Sequence, residues 1–128
     1  IRKPDFLMSE IFRVLSPKGK LLMNVPFYYW LHEEPYDYYR YTKFALKSIA
    51  EDAGFSIIKL EASGGAPEIL ADIISKLTVK IPLVGRITAN IIQQLTKLFL
   101  NFNFGKKISK KTALKFPLGY VMILEKPV

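Results

Sequence analysis

Hydrophobic and polar positions along this chain fall into short runs with sharp boundaries. Leu7, Ile11, Val14 and Leu15 recur at helical spacing after Pro4 and Asp5, which suit a first helical turn, and the pattern stops at Pro17. An amphipathic helix is expected there. Pro17-Lys18-Gly19 is turn chemistry with the glycine free to take a positive φ, and Leu21 to Val25 then runs apolar without alternation up to Pro26, which predicts a strand buried on both faces. Thr42 can cap a helix in which Leu46, Ile49, Ala50 and Ala53 share one face, with Gly54 as its C-terminal cap. A strand over Ser56 to Ala62 follows and is broken by Gly64-Gly65, a plain turn. Pro67-Glu68 opens a helix with Ile69, Leu70, Ile73, Ile74 and Leu77 on one stripe, and Leu118 to Lys126 reads as the last strand.

The most apolar stretch, Ile81 to Phe104, is amphipathic. Arg86, Asn90, Gln93, Gln94, Lys97 and Asn101 fall on one helical face, with Ile87, Ile91, Leu95, Leu98, Phe99 and Phe102 opposite. A spanning helix needs about twenty predominantly apolar residues, and one full side breaks that rule. Gly105 to Lys115 follows, with five Lys in eleven residues, and reads as a basic loop. Two readings stand. The helix packs its apolar face on its own domain beside a solvated loop; or that face and Lys106, Lys107, Lys110 and Lys111 bind an anionic membrane surface, each basic residue adding about 1 kcal/mol. Nucleic acid is disfavoured as a partner, because the aromatics and the lysines lie in different segments.

At 128 residues, half of them apolar, the chain can build one core of ordinary size. The absence of Cys excludes disulfides, thiolate nucleophiles and Cys-based zinc sites, and fits a reducing cytoplasm. Position 1 is not Met and a helix begins almost at once, so the start reads as a boundary with residues missing upstream; no secretory signal opens the chain. The net charge of +8 is unevenly placed: residues 1–72 carry nine Lys/Arg against ten Asp/Glu, and residues 73–128 carry ten Lys/Arg and only Glu125. Such asymmetry points to an anionic surface meeting the C-terminal part.

Taken in order, Phe6 to Phe27, FLMSEIFRVLSPKGKLLMNVPF, resembles the segment of class I S-adenosylmethionine-dependent methyltransferases in which a helix ending E-x-x-R-V-L-x-P-x-G leads into the fifth sheet strand. Ala53-Gly54-Phe55 is similar to the entry to the sixth strand, and Tyr120 to Pro127 to the seventh. The resemblance, to a type 11-like methyltransferase domain, covers roughly residues 4–65 and 116–127. It implies an α/β fold: the C-terminal half of a Rossmann-like sheet, mixed, holding the fifth to seventh strands, with the fifth beside the seventh. Residues 1–128 would be a partial methyltransferase domain and residues 66–115 a helical, basic insertion, since the family's sixth and seventh strands are otherwise joined by a short turn. The Gly-rich turn and acidic residue with which the family holds its cofactor are not in this sequence. S-adenosylmethionine is therefore expected in the full-length parent and not on this chain, which alone should methylate nothing.

In open α/β sheets ligands sit beyond the carboxyl ends of the strands, which directs attention to Pro26 to Thr42, PFYYWLHEEPYDYYRYT. This segment holds six of the seven Tyr, the only Trp and the only His. Aromatic faces can stack on flat or sugar-like groups while hydroxyls fix orientation. His32-x-x-Pro35-x-Asp37-x-x-Arg40-x-Thr42 resembles a signature of a methyltransferase subgroup linked to saccharide and small-molecule biosynthesis, which implies that it lines the acceptor pocket. His32 is the candidate base for an acceptor hydroxyl, against a purely structural role. Arg40 is a clamp for a carboxylate or phosphate, or else the local partner of Asp37. Tyr28, Trp30 and Tyr38 are the candidates for pocket contact, and Thr42 is a helix N-cap. Glu33 and Glu34 beside a single His make no metal site.

The function expected is the acceptor side of a methyltransferase acting on a small-molecule, saccharide or lipid-linked substrate; the rival is a non-catalytic module attached to a partner or membrane through the basic insertion. The location would be cytoplasmic, peripheral on the inner membrane face if the insertion binds lipid. A bare apolar edge along Leu21 to Val25, where the family's fourth strand would pair, predicts a homodimer.

Overall fold

The computed structural model describes all 128 residues, in two units: residues 1–62 with 119–128, and residues 63–118. The first unit is built from α1 (Pro4–Val14), β1 (Lys20–Pro26), α2 (Lys43–Asp52), β2 (Ser56–Ser63) and β3 (Gly119–Glu125). The sheet order is β1-β3-β2, with β3 antiparallel to β1 and in register from Lys20 opposite Glu125 to Pro26 opposite Gly119. The expected α/β class and the neighbouring of the fifth-strand and seventh-strand candidates are both present. The mixed sheet is not: the strands form an antiparallel sheet, because the last strand lies between β1 and β2 and leaves no parallel neighbours in contact.

Residues directly opposite across an antiparallel pair share a face. Leu21, Met23 and Val25 therefore stand beside Leu124, Met122 and Tyr120, and this face meets Met8 of α1 and Leu46 and Ala50 of α2 in the core. The prediction that β1 is buried on both faces fails. Its burial alternates, and Leu22 on the other face is 70% exposed. No element of the first unit covers that face, so the run of apolar residues marks a surface rather than an interior.

Local chemistry explains the element ends. Thr42 Oγ1 accepts the Ala45 N–H, as an N-cap should. After α2, Gly54 takes φ +92° while its N–H reaches the Glu51 carbonyl and the next, of Phe55, reaches Ala50, the two bonds of a Schellman cap. In the turn before β1 the positive φ falls on Lys18 and not on Gly19. Gly19 is needed for closeness instead: its N–H closes the turn onto the Ser16 carbonyl, and a Cβ there would sit 2.7 Å from that oxygen.

The second unit contains α3 (Ala66–Thr78), α4 (Gly85–Asn101) and α5 (Asn103–Ala113). The expected helix from Ile81 begins at Gly85, and the expected basic loop is a helix. Lysine is a good helix former, and Gly105, Ser109 and Ala113 recur at i, i+4, i+8 as a buried stripe that gives α5 something to pack with. Gly64-Gly65 is more than a turn. Gly64 has φ +69°, and a Cβ on Gly65 would lie 2.3 Å from the Ser109 carbonyl, so α5 crosses directly over the N-terminus of α3. Glu68 closes the joint, accepting the Gly65 N–H and the Ser109 hydroxyl. No helix is long and apolar enough to cross a membrane.

Lys126, just past β3, donates from Nζ to the Phe12 and Leu15 carbonyls, both at 2.8 Å, and lies 4.8 Å from the Phe12 ring centroid. It supplies partners for carbonyls at the C-terminal end of α1 that the helix itself leaves unpaired. Lys126→Met should cost about 1.5–3 kcal/mol, the range for hydrogen bonds to charged groups. Urea denaturation checks this: the midpoint should fall with an unchanged slope, while Lys43→Met, at an exposed position, should leave it in place.

Candidate functional site

The loop from Phe27 to Tyr41 leaves the carboxyl end of β1 and has no regular secondary structure. Its shape depends on one carboxylate. Asp37, whose side chain is only 10% exposed, accepts both Nη groups of Arg40 and, at 3.1 Å, the backbone N–H of His32. The remaining Nη hydrogens of Arg40 go to the Trp30 and Tyr39 carbonyls, each at 3.1 Å. One side chain thus ties residues 30, 37, 39 and 40 together. A turn closed by the Tyr36 N–H on the Glu33 carbonyl, across a cis Glu34–Pro35 bond, returns the chain to the knot.

The charge state follows from these contacts. The Arg40 hydrogen bonds, then the His32 backbone N–H, hold the Asp37 carboxyl well below the usual carboxylate range, against the opposing effect of burial. Arg40 is raised by the same pair. His32 Nδ1 lies 3.2 Å from Asp37 Oδ2 and 3.3 Å from the Trp30 carbonyl. Both neighbours only accept, so Nδ1 carries the hydrogen, and in the neutral ring Nε2 keeps its lone pair. Tyr29 packs edge-on against the imidazole at 5.1 Å.

Beside this knot is a cavity of about 360 Å³, within the range of small-molecule sites. Its walls are Pro4, Leu7 and Met8 of α1, the β1 residues Met23 to Pro26, and the loop. Of the residues singled out from the sequence, His32, Asp37, Tyr38 and Arg40 line it together. Tyr28 and Trp30 do not. Tyr28 packs edge-on against Phe27, and Trp30 enters the site through its carbonyl rather than its indole. Arg40 stands as the partner of Asp37, with all four Nη hydrogens committed inside the loop. Sequence reasoning missed Asn24, Tyr36, Tyr39 and Tyr41. Burial, and after it the neighbouring Tyr39 and Asp5, raise the Tyr41 hydroxyl pKa. The missed tyrosines flank Tyr38 along an irregular segment, where no periodicity separates wall from surface.

Lys106, Lys107, Lys110 and Lys111 lie elsewhere, exposed on α5. No group of three or more His, Asp or Glu is placed to hold a metal. No protein-family model and no curated protein matches the chain.

A group with a depressed folded-state pKa adds stability that is complete above its unfolded value, about 3.9 for Asp, and is lost as pH falls toward the folded value. The loop should therefore keep its structure down to about pH 4 and open below it. Trp30, the only Trp, reports this by fluorescence. In Asp37→Asn the Trp30 emission at pH 7 should already match that of the acid-opened loop, and the acid transition should be lost.

Proposed function

We propose that this chain forms the acceptor side of an S-adenosylmethionine-dependent methyltransferase of the class I, Rossmann-like type, acting on a hydroxyl of a small-molecule, saccharide or lipid-linked acceptor. The observation that carries the reading is topological. The last strand lies beside β1, the neighbour that the sequence resemblance implies for its seventh strand, and the cavity opens where β1 ends. The roles within the cavity follow from chemistry. His32, with Nδ1–H held by Asp37 and the Trp30 carbonyl, takes the acceptor proton at Nε2. Arg40 and Asp37 are positioning residues. Tyr38 offers a ring face and a hydroxyl to the acceptor.

The residues of this chain do not fit the cofactor itself. The only paired glycines, Gly64-Gly65, cap α3, and the second is closed off by Ser109 and Thr112. Holding S-adenosylmethionine belongs, in this reading, to a different segment or a partner, and the chain's own chemistry is acceptor binding and proton removal.

Two titrations test this. Calorimetry with S-adenosylmethionine should show no saturable site tighter than about 10 μM, roughly −7 kcal/mol. NMR titration with a set of saccharide and phenolic hydroxyl compounds should move the His32 and Tyr38 ring signals together, and His32→Gln should weaken that response without changing the fold. Tight cofactor binding, or acceptor shifts that avoid both rings, would overturn the assignment.

A further inference from the structure

Within the second unit, α3 has its polarity inverted. In α3 every exposed residue is Leu or Ile, namely Leu70, Ile73, Ile74 and Leu77, at 45–70% exposure. Its polar residues face inward: Ser75 is buried, and Asp72 and Lys76 form a half-buried ion pair at 2.5 Å. The contact with α4 includes small and polar groups. Gln93 Nε2 donates to Ser75 Oγ at 3.1 Å, Ser75 Oγ donates to the Ala89 carbonyl at 3.4 Å, and a Cβ on Gly85 would lie 2.3 Å from the Thr78 carbonyl. The apolar face read from the sequence on α4 is exposed, with Ile87, Ile91, Leu95 and Leu98 at 53–61%, and so are Arg86, Asn90, Gln94 and Lys97, while Gln93 turns to α3. The connecting turn continues the apolar character, with Leu83 98% exposed at its tip.

Small residues at the helix contact, polar side chains joining helices inside and aliphatic side chains outside make up the pattern of helices solvated by lipid. The charge agrees. Residues 63–118 carry nine Lys/Arg against two Asp/Glu, and Lys106, Lys107, Lys110 and Lys111 all lie exposed on α5. An anionic bilayer accounts for both the apolar face and this excess of positive charge, and for the small and polar groups kept at the helix contact. At 1.5 Å per residue, the 17 residues of α4 reach about 25 Å, short of the roughly 30 Å hydrocarbon core.

We propose that residues 66–113 are a membrane module that inserts the α3–α4 hairpin into one leaflet of an anionic bilayer, with the lysines of α5 at the headgroups. This inference rests on the second unit alone and stands whether or not the first unit binds an acceptor.

The test is flotation of the whole chain with phosphatidylcholine vesicles and with vesicles containing about 30% phosphatidylglycerol. Partition should be at least tenfold stronger on the anionic vesicles. Replacing Lys106, Lys107, Lys110 and Lys111 with Gln should weaken it by nearly three orders of magnitude, at roughly fivefold for each residue. Leu77→Asp with Leu95→Asp, both at exposed positions, should abolish it while circular dichroism stays unchanged. Because the chain has no Cys, a dye placed by Leu83→Cys reports one site only; its emission should shift to the blue on anionic vesicles, while a dye at Asn90→Cys shifts less. Failure to float, or equal flotation on neutral lipid unaffected by the Lys changes, overturns the proposal. So does a dimer of about twice 14.7 kDa that the Asp pair dissolves and that leaves the vesicles unbound, since the occupant is then a second copy.

Discussion

The strand that comes last in the chain is the one the sheet of the first unit is built around. β3 joins β1 on one side and β2 on the other, and its Tyr120, Met122 and Leu124 are the most deeply buried side chains of the sheet. Met122 and Leu124 are almost fully inaccessible, each contributing roughly 1.5–3 kcal/mol by burial. Opposing this is the entropy of bringing the two ends of the chain together, which grows only slowly with loop length. That slow growth is why residues 63–118 can intervene between β2 and β3 at little cost to the first unit. Lys126 extends the same constraint beyond the sheet, for the strand that aligns β1 also delivers an ammonium group to the end of α1.

The cavity inherits this arrangement. β3 fixes β1 in register, β1 aims the loop, and Asp37 folds the loop back on itself. The loop has no regular secondary structure, and Pro35 in its middle lacks an N–H, so no ladder of backbone hydrogen bonds holds it. A single carboxylate shared between Arg40 and two hydrogens of His32 replaces them. Two of its contacts serve position, and the third, to Nδ1, sets which ring nitrogen carries the hydrogen in the neutral imidazole. The same residue therefore decides both where the imidazole lies and which nitrogen can accept a proton.

Where a property depends on local chemistry, it could be read from the residues. Thr42 caps, Gly54 takes the left-handed conformation, and Asp37 meets Arg40 three residues on, because each needs only its immediate neighbours. Properties that depend on what lies opposite were harder to read. Leu21 to Val25 is the same apolar run whether one face is covered or both, and the exposure of Leu22 follows from which elements pack there. Alternation within the loop could not separate Tyr38, which lines the cavity, from Tyr28, which does not, since an irregular backbone has no face. In α5 the lysines hid a helix, because their charge suggested a loop while their propensity and the Gly105, Ser109, Ala113 stripe favoured helix.

The amphipathic pattern of α4 was legible, but its direction was not, and the direction follows from the size of the inward residues. Gly85, Ala89, Gln93 and Thr96 recur every four residues or nearly so, and they let α4 approach the Ala71 and Ser75 side of α3 closely enough for Gln93 to reach Ser75. Large aliphatic residues at those positions would hold the helices apart; placed outside, they are excluded from the contact. In water this choice is expensive. Eight half-exposed Leu and Ile side chains, at roughly 1.5–3 kcal/mol for full burial of each, leave on the order of 10 kcal/mol unrealised, comparable with the whole stability of a small domain. A sequence selected only to fold in water would have turned these stripes inward, as soluble amphipathic helices do. Keeping the small and hydrogen-bonding groups for the helix contact is favourable where the surroundings already solvate aliphatic chains and cannot solvate Gln93 or Ser75. The interior of the second unit is thus evidence about its exterior.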